Sequence, residues 1–129
     1  DEALVVDKWL VAQSTSRRPD TLATVKALTG HPAFDAGNPN KIYALIRAFG
    51  ANLVRFNAAD GSGYAFIADR ILMLHDKNPQ VASRLARCFD RWKKFDTARQ
   101  AHAQAALARI RDHEGLSRDV MEVVTRALG

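Results

Sequence analysis

The sequence predicts an all-α fold built from paired antiparallel helices in a superhelical stack. Apolar residues recur at helical spacing along the chain, and polar caps or glycines separate the helical stretches. No window alternates polar and apolar residues for long enough to predict a strand. A length of 129 residues and a hydrophobic content of 47% fit one folded domain, so we expect a single helical domain over residues 1–129.

The stretch from Tyr64 to Leu74 is apolar on nearly every side, and only Asp69 and Arg70 interrupt it. A helix of this kind is expected inside the core, with other helices packed on several sides. Asn78 and Pro79 follow it, and they suit the cap and the first position of the next helix.

The other helices are placed by the same signals of capping and apolar spacing. They are expected over residues 3–14, between Asp20 and Gly30, from Asn38 to Gly50, at 52–56, from Pro79 to about Lys94, from Asp96 through Ile110, and from Ser117 to Leu128. Gly30 is expected to end its helix in the left-handed conformation, and Gly115 is expected to end another.

An internal similarity supports the stacking of helix pairs. Residues 38–49 align with residues 78–89 at an offset of 40, and Asn, Pro, Leu, Arg and Phe coincide. This offset lies in the range of two-helix repeats of the HEAT and armadillo type. Chance similarity between two Asn-Pro-capped amphipathic helices is the alternative.

The net charge of +5 is unevenly distributed, because residues 65–129 carry 12 Lys/Arg against 8 Asp/Glu and residues 1–64 carry 7 against 6. The single cysteine, Cys88, cannot form an internal disulfide, which fits a reducing compartment. No run reaches the roughly 18 apolar residues of a membrane span. The chain begins with Asp1, without Met or a basic leader, so we expect a piece of a longer polypeptide, and a membrane is not expected as a partner.

The sequence predicts no catalytic residue and no metal site. His113 and Glu114 begin like the zinc-binding H-E-x-x-H helix, but Ser117 stands where the second histidine is required. Cys88 lies on the apolar face of its helix, so a buried structural thiol is expected there. The turn at residues 60–63 lacks the Lys and Ser/Thr of a phosphate-binding loop, and no cofactor is expected in this chain.

The helix that begins at Pro79 is amphipathic and carries a basic stripe. The stripe consists of Gln80, Arg84, Arg87, Arg91 and Lys94, opposite Val81, Leu85, Cys88, Phe89 and Trp92. One interpretation is a solvated outer face. The other is a lining face whose arginines bind carboxylates, carbonyls or phosphates. Nucleic acid is not expected as a partner, because the aromatic residues point away from the basic ones.

Four segments carry a resemblance to a known family. They are Asp7-Lys8-Trp9, Asn38-Pro39-Asn40, residues 60–64 and above all Asn78-Pro79-Gln80-Val81-Ala82-Ser83-Arg84-Leu85. From about Asp7 to its end, the chain resembles the C-terminal domain of bacterial aminopeptidase N, the zinc alanyl aminopeptidases.

The resemblance implies that the parent protein is a cytoplasmic metalloprotease, a zinc hydrolase that removes N-terminal residues from peptides. Its zinc ligands would lie in the catalytic domain of the same polypeptide. This domain would cover the active site, limit the access of peptide substrates and have no catalytic machinery of its own. Gln80 and Arg84 match the family's cavity-lining residues. The match is looser near Tyr43, where some relatives carry arginine, so the resemblance assigns no second cavity arginine here. An autonomous helical-repeat module that binds acidic partners is the alternative function.

Overall fold

The computed structural model describes residues 1–129, and it contains helices and turns but no strand. The all-α prediction is therefore confirmed. The chain divides into two compact units, Asp1–Phe56 and Asn57–Gly129, which are described separately. None of the helices combines the length and the apolar character that crossing a membrane requires.

The first unit consists of short helices. They are α1 (Glu2–Thr15), α2 (Thr21–Leu28), α3 (Pro39–Ile42), a π-helical turn (Tyr43–Arg47), α4 (Ala48–Gly50) and α5 (Leu53–Phe56). Helix α1 packs against α2 and against the continuous helical segment from α3 to α4. Leu10, Leu45 and Phe49 are fully buried and form the centre of this core. Burial of each such side chain stabilises the fold by about 1.5–3 kcal/mol.

The second unit is built from longer helices. They are α6 (Ser62–Leu74), α7 (Pro79–Ala86), two 3-10 turns (Arg87–Phe89 and Trp92–Lys94), α8 (Thr97–Arg111) and α9 (Arg118–Leu128). Helix α6 packs against α7 and α8, and α9 packs against the same two helices. Tyr64, Ile67 and Ile71 of α6 are fully buried. The predicted packing of α6 on several sides is wrong, because each of the four helices has two others as its main partners. Helix α6 is not enclosed on every side, because Met73 is 59% exposed.

Three predicted helix starts are confirmed by side chains that accept backbone N–H groups, at Asn38, Asn78 and Asp96, whereas Asp20 makes no such bond. Asn38 accepts the N–H of Asn40 at 2.9 Å, and Asp96 accepts the N–H of Arg99 at 3.2 Å. Ser117 occupies the cap position of α9, but its hydroxyl makes no capping hydrogen bond. Such caps supply acceptors for N–H groups that have no partner within the helix.

Of the two glycines predicted to end helices in the left-handed conformation, one is placed wrongly. Gly30 does not adopt the left-handed conformation, whereas Gly115 does, with φ at 79°. Helix α2 ends at Leu28, and the N–H of Thr29 and that of Gly30 bond back to helix carbonyls at 3.2 Å. These bonds tighten the last turn, so a left-handed residue is not needed there.

The helix that begins at Pro79 ends at Ala86 rather than at Lys94. The chain continues in the two 3-10 turns, and the indole N–H of Trp92 donates to the carbonyl of Ala127 at 2.8 Å. Trp92 is thereby buried against the end of α9. Because a buried indole N–H requires an acceptor, this contact favours the break over a regular continuation of α7.

Candidate functional site

Helix α7 presents the predicted site residues from a well-anchored start. The side chain of Asn78 accepts the N–H of Val81 at 3.2 Å, and Pro79 occupies the first turn. Val81 and Leu85 are buried on the inner face of the helix. With the apolar face fixed in the core, the polar face of α7 has a defined direction.

Gln80 and Arg84 are both exposed on α7. They are four positions apart, so their side chains are neighbours on one face of the helix, with about 6 Å between Cβ atoms. The amide of Gln80 can both donate and accept hydrogen bonds, and the guanidinium of Arg84 provides a fixed fork of donors. Together they can bind a backbone carbonyl or a carboxylate of a peptide.

The predicted stripe is confirmed only in the exposure of its residues. Arg87, Arg91 and Lys94 are exposed, but they lie in and around the two 3-10 turns. Because the helix ends at Ala86, helical spacing no longer aligns them with Gln80 and Arg84. Cys88, which was expected to be buried, is only half-buried.

Tyr43 belongs to the first unit and starts its π-helical turn. The side chain is half-buried, and the guanidinium of Arg47 lies 5.5 Å from the centre of its ring. This distance fits a cation–π contact, so the ring has a local partner within its own unit.

The histidines do not assemble a zinc site. His113 and Glu114 lie in the turn after α8, not on a helix. The ring of His113 meets that of His75 edge to face, with 5.1 Å between centres, and Nδ1 of His75 accepts the N–H of Ser117 at 3.1 Å. No group of three or more His, Cys, Asp or Glu side chains is placed to hold a metal ion. The residues of this chain therefore do not fit the tetrahedral ligand set of zinc.

A shallow depression of about 320 Å³ lies beside the turn that precedes α6. Asp60 accepts hydrogen bonds there from the hydroxyl of Ser62 at 2.6 Å and from its N–H at 2.9 Å. These bonds, the hydroxyl first, lower the pKa of the Asp60 carboxyl below its ordinary value. The carboxylate thus accepts the N–H of Ser62, the first residue of α6, and stabilises the turn before the helix.

These observations define the class of the protein as a helical-repeat domain with an exposed polar face on α7. The chain belongs to the family described as "Domain of unknown function (DUF3458_C) ARM repeats", which matches residues 1–129. The match confirms the predicted helical-repeat fold.

Known proteins similar to this chain are aminopeptidases. It is 45% identical over 126 residues to aminopeptidase N of Escherichia coli (strain K12), covering 97% of the chain and 14% of that protein. It is 41% identical over 129 residues to aminopeptidase N of Caulobacter vibrioides, covering 99% of the chain and 15% of that protein.

A solved structure agrees with these relatives. Aminopeptidase A of Legionella pneumophila, in complex with aspartic acid, superposes with a TM-score of 0.93 at 35% identity, over 99% of this chain and 15% of that one. The resemblance to the C-terminal domain of bacterial aminopeptidase N is thus confirmed. The chain spans only 14–15% of the length of these relatives.

Proposed function

We propose that this chain is the C-terminal helical domain of a cytoplasmic, zinc-dependent aminopeptidase N. In this proposal the catalytic domain of the same polypeptide holds the zinc and removes N-terminal residues from peptides. The helical domain covers the active site, limits the access of peptides and lines the substrate cavity with Gln80 and Arg84. Identity of 38–45% to aminopeptidase N over nearly the whole chain supports the assignment to this enzyme class.

The observation that carries the cavity role is the shared exposed face of Gln80 and Arg84. Both side chains are directed away from the core of their unit, although the opposite face of α7 is buried. A guanidinium beside an amide suits the carbonyls and the carboxylate of a peptide more than it suits an apolar neighbour. Contacts of this kind hold the distal part of a peptide, away from the bond that is cleaved.

The test is made on the full-length enzyme that carries this chain. Arg84→Ala is expected to raise KM for peptides of several residues by about tenfold, the loss of one charge-assisted hydrogen bond. Hydrolysis of a single-residue chromogenic amide should change by less than about twofold, because that substrate does not reach the distal contacts.

The matched control is Arg118→Ala, since the Arg118 side chain is 91% exposed on α9 and contacts only Glu122, at 3.8 Å. It should leave both substrates unchanged. Equal effects of Arg84→Ala on both substrates, or no effect on either, would refute the cavity role. The 129-residue chain alone should hydrolyse no aminoacyl substrate and retain no stoichiometric zinc.

The exposed basic stripe favours one alternative, an autonomous helical-repeat module that binds acidic partners. Tight, salt-sensitive binding of the isolated chain to an acidic protein would support this alternative. An upstream reading frame that encodes an H-E-x-x-H helix would decide for the aminopeptidase.

A further inference from the structure

A second depression in the unit Asn57–Gly129 has a distinctly basic lining. Its volume is about 340 Å³, and it lies between the 3-10 turns after α7 and the end of α9. It is lined by Arg87, Asp90, Lys93, Val123, Arg126 and Ala127. Three cations and one side-chain carboxylate thus line one concave surface, and of these cations only Arg87 also belongs to the basic stripe.

The depression is held in shape by Trp92. Its indole N–H donates to the carbonyl of Ala127 at 2.8 Å, which ties the second 3-10 turn to the last turn of α9. Nζ of Lys93 lies 5.5 Å from the centre of the Trp92 ring. The buried Trp92 side chain therefore holds the backbone of the second 3-10 turn, which carries Lys93, beside the last turn of α9, which carries Arg126.

The cations of this depression differ from four other arginines of the same unit. Ion pairs with carboxylates are made by Arg99, Arg109, Arg111 and Arg118. Neither Arg87, Lys93 nor Arg126 forms an ion pair, although Asp90 lines the same depression. Three like charges therefore converge without a matching number of anions.

The backbone offsets only part of this charge. Arg126 lies in the last turn of α9, where the helix dipole contributes about half a negative charge. The Asp90 carboxylate and, in the 129-residue chain, the terminal carboxylate of Gly129 beside Nζ of Lys93 offset a further part, and the three cations still outnumber the anions. A concave surface with such an excess concentrates small anions from solution.

We propose that this depression binds a small multivalent oxyanion of the phosphate class. The two guanidinium groups match the oxygens of phosphate in geometry, and Lys93 adds a compact point charge. A phosphate oxyanion has enough oxygens to contact all three cations at once, which a monocarboxylate does not. Because the cations are exposed, half-saturation is expected near about 1 mM phosphate.

The test follows the amide resonances of the 129-residue chain during titration with inorganic phosphate, with ionic strength held constant by sodium chloride. Saturable shifts are expected in residues 87–94 and 123–128. Arg87→Gln and Arg126→Gln should each weaken binding by about tenfold, and the corresponding lysine variants by less. Arg118→Gln, outside the depression on the same helix α9, should change the affinity by less than about twofold.

Three outcomes would overturn the proposal. The first is a response that does not saturate, which is the signature of general screening. The second is equal weakening by Arg118→Gln and Arg126→Gln, which would indicate a long-range charge effect. The third is binding of acetate as tight as that of phosphate, which would exclude a site selective for multivalent anions. Thermal melting of each variant checks that the fold is retained.

Discussion

The hydroxyl of Tyr64 donates a hydrogen bond to Oδ1 of Asn57 across 2.7 Å, and both side chains are buried in the second unit. The ring of Tyr64 also packs against that of Phe89, with 5.9 Å between centres. One side chain therefore links the segment that leads into α6 with the turn that follows α7. Its phenol has a polar partner where water has no access, as a buried hydroxyl requires.

Tyr64→Phe is expected to lower the free energy of unfolding by about 1–3 kcal/mol, because it removes a donor from a buried oxygen of Asn57. Unfolding in urea measures this change. Ser83→Ala serves as the control, since its hydroxyl bonds only to the exposed carbonyl of Gln80 at 2.8 Å. That variant should stay within about 0.5 kcal/mol of the parent chain. Equal losses in the two variants would contradict the role given to the buried bond.

Alkaline pH should act on the same tyrosine. Burial raises the pKa of Tyr64 above its ordinary value of 10.0, and the nearby charge of Arg99 opposes part of that rise. The folded chain therefore favours the neutral phenol. The stability that results is fully present below the pKa of the phenol in the unfolded chain. It is lost as pH rises through the pKa of the phenol in the folded chain.

The corresponding measurement is urea unfolding at several values between about pH 9 and pH 12. The parent chain should lose more stability over this range than Tyr64→Phe, whose side chain does not ionise. All other titrating groups are the same in the two chains, so their contributions drop out when the two pH dependences of the unfolding free energy are subtracted. Parallel curves for the two chains would show that the phenol is not held neutral by the fold.

Two glycines with positive φ allow the energetic cost of the backbone conformation to be separated from the cost of a steric clash. Gly61 and Gly115 both have positive φ, at 77° and 79°. A Cβ at Gly61 would lie 2.6 Å from Cγ of His102, whereas a Cβ at Gly115 would meet nothing within 4 Å. Gly115→Ala should therefore cost only the left-handed penalty, about 1–2 kcal/mol.

Gly61→Ala should cost more than Gly115→Ala, because the ring of His102 must also move. In the double variant Gly61→Ala/His102→Ala the additional loss should disappear. Thermal and urea unfolding of the four chains measure these differences. If Gly61→Ala and Gly115→Ala lower the free energy of unfolding equally, the packing of His102 on this turn does not add to the cost of the Gly61 substitution.

Much of the fold follows from local signals in the sequence. The caps at Asn38, Asn78 and Asp96 were predictable because a side-chain acceptor satisfies N–H groups only two or three residues away. The burial of Tyr64, Ile67 and Ile71 on α6 was predictable from its near-continuous apolar surface. The exposed pair Gln80 and Arg84 followed from the spacing of apolar residues on α7.

The features that could not be predicted from the sequence depend on contacts between residues far apart in the chain. The end of α7 at Ala86 depends on a bond from Trp92 to Ala127, which is 35 residues away. The basic depression combines Arg87 and Lys93 with Arg126 of α9, so no single window of sequence contains it. Helical periodicity reports the faces of one helix and carries no information on which helix ends will meet.

The first unit contains a polar bridge of this non-local kind. The amide of Asn52 donates to the carbonyls of Ser14 at 3.0 Å and Ser16 at 2.7 Å, and its oxygen accepts the N–H of Arg55 at 3.1 Å. One buried side chain thus joins the end of α1 to the start of α5. The composition of the segment gave no sign of it, since its partners lie 36 and 38 residues away.

Asn52→Ala should lower the free energy of unfolding by about 1–3 kcal/mol, because buried backbone carbonyls lose their donor. Asn52→Asp should be at least as damaging at neutral pH, since a carboxylate cannot donate to either carbonyl and would itself be buried with a charge. Asn40→Ala is the control: Asn40 is exposed, and the capping bond to Asn38 uses its backbone N–H, which the variant keeps. That change should stay within about 0.5 kcal/mol in urea unfolding. A tolerated Asn52→Asp would mean that water, not the amide, satisfies the end of α1, and the bridge would then have no part in holding α5 in place.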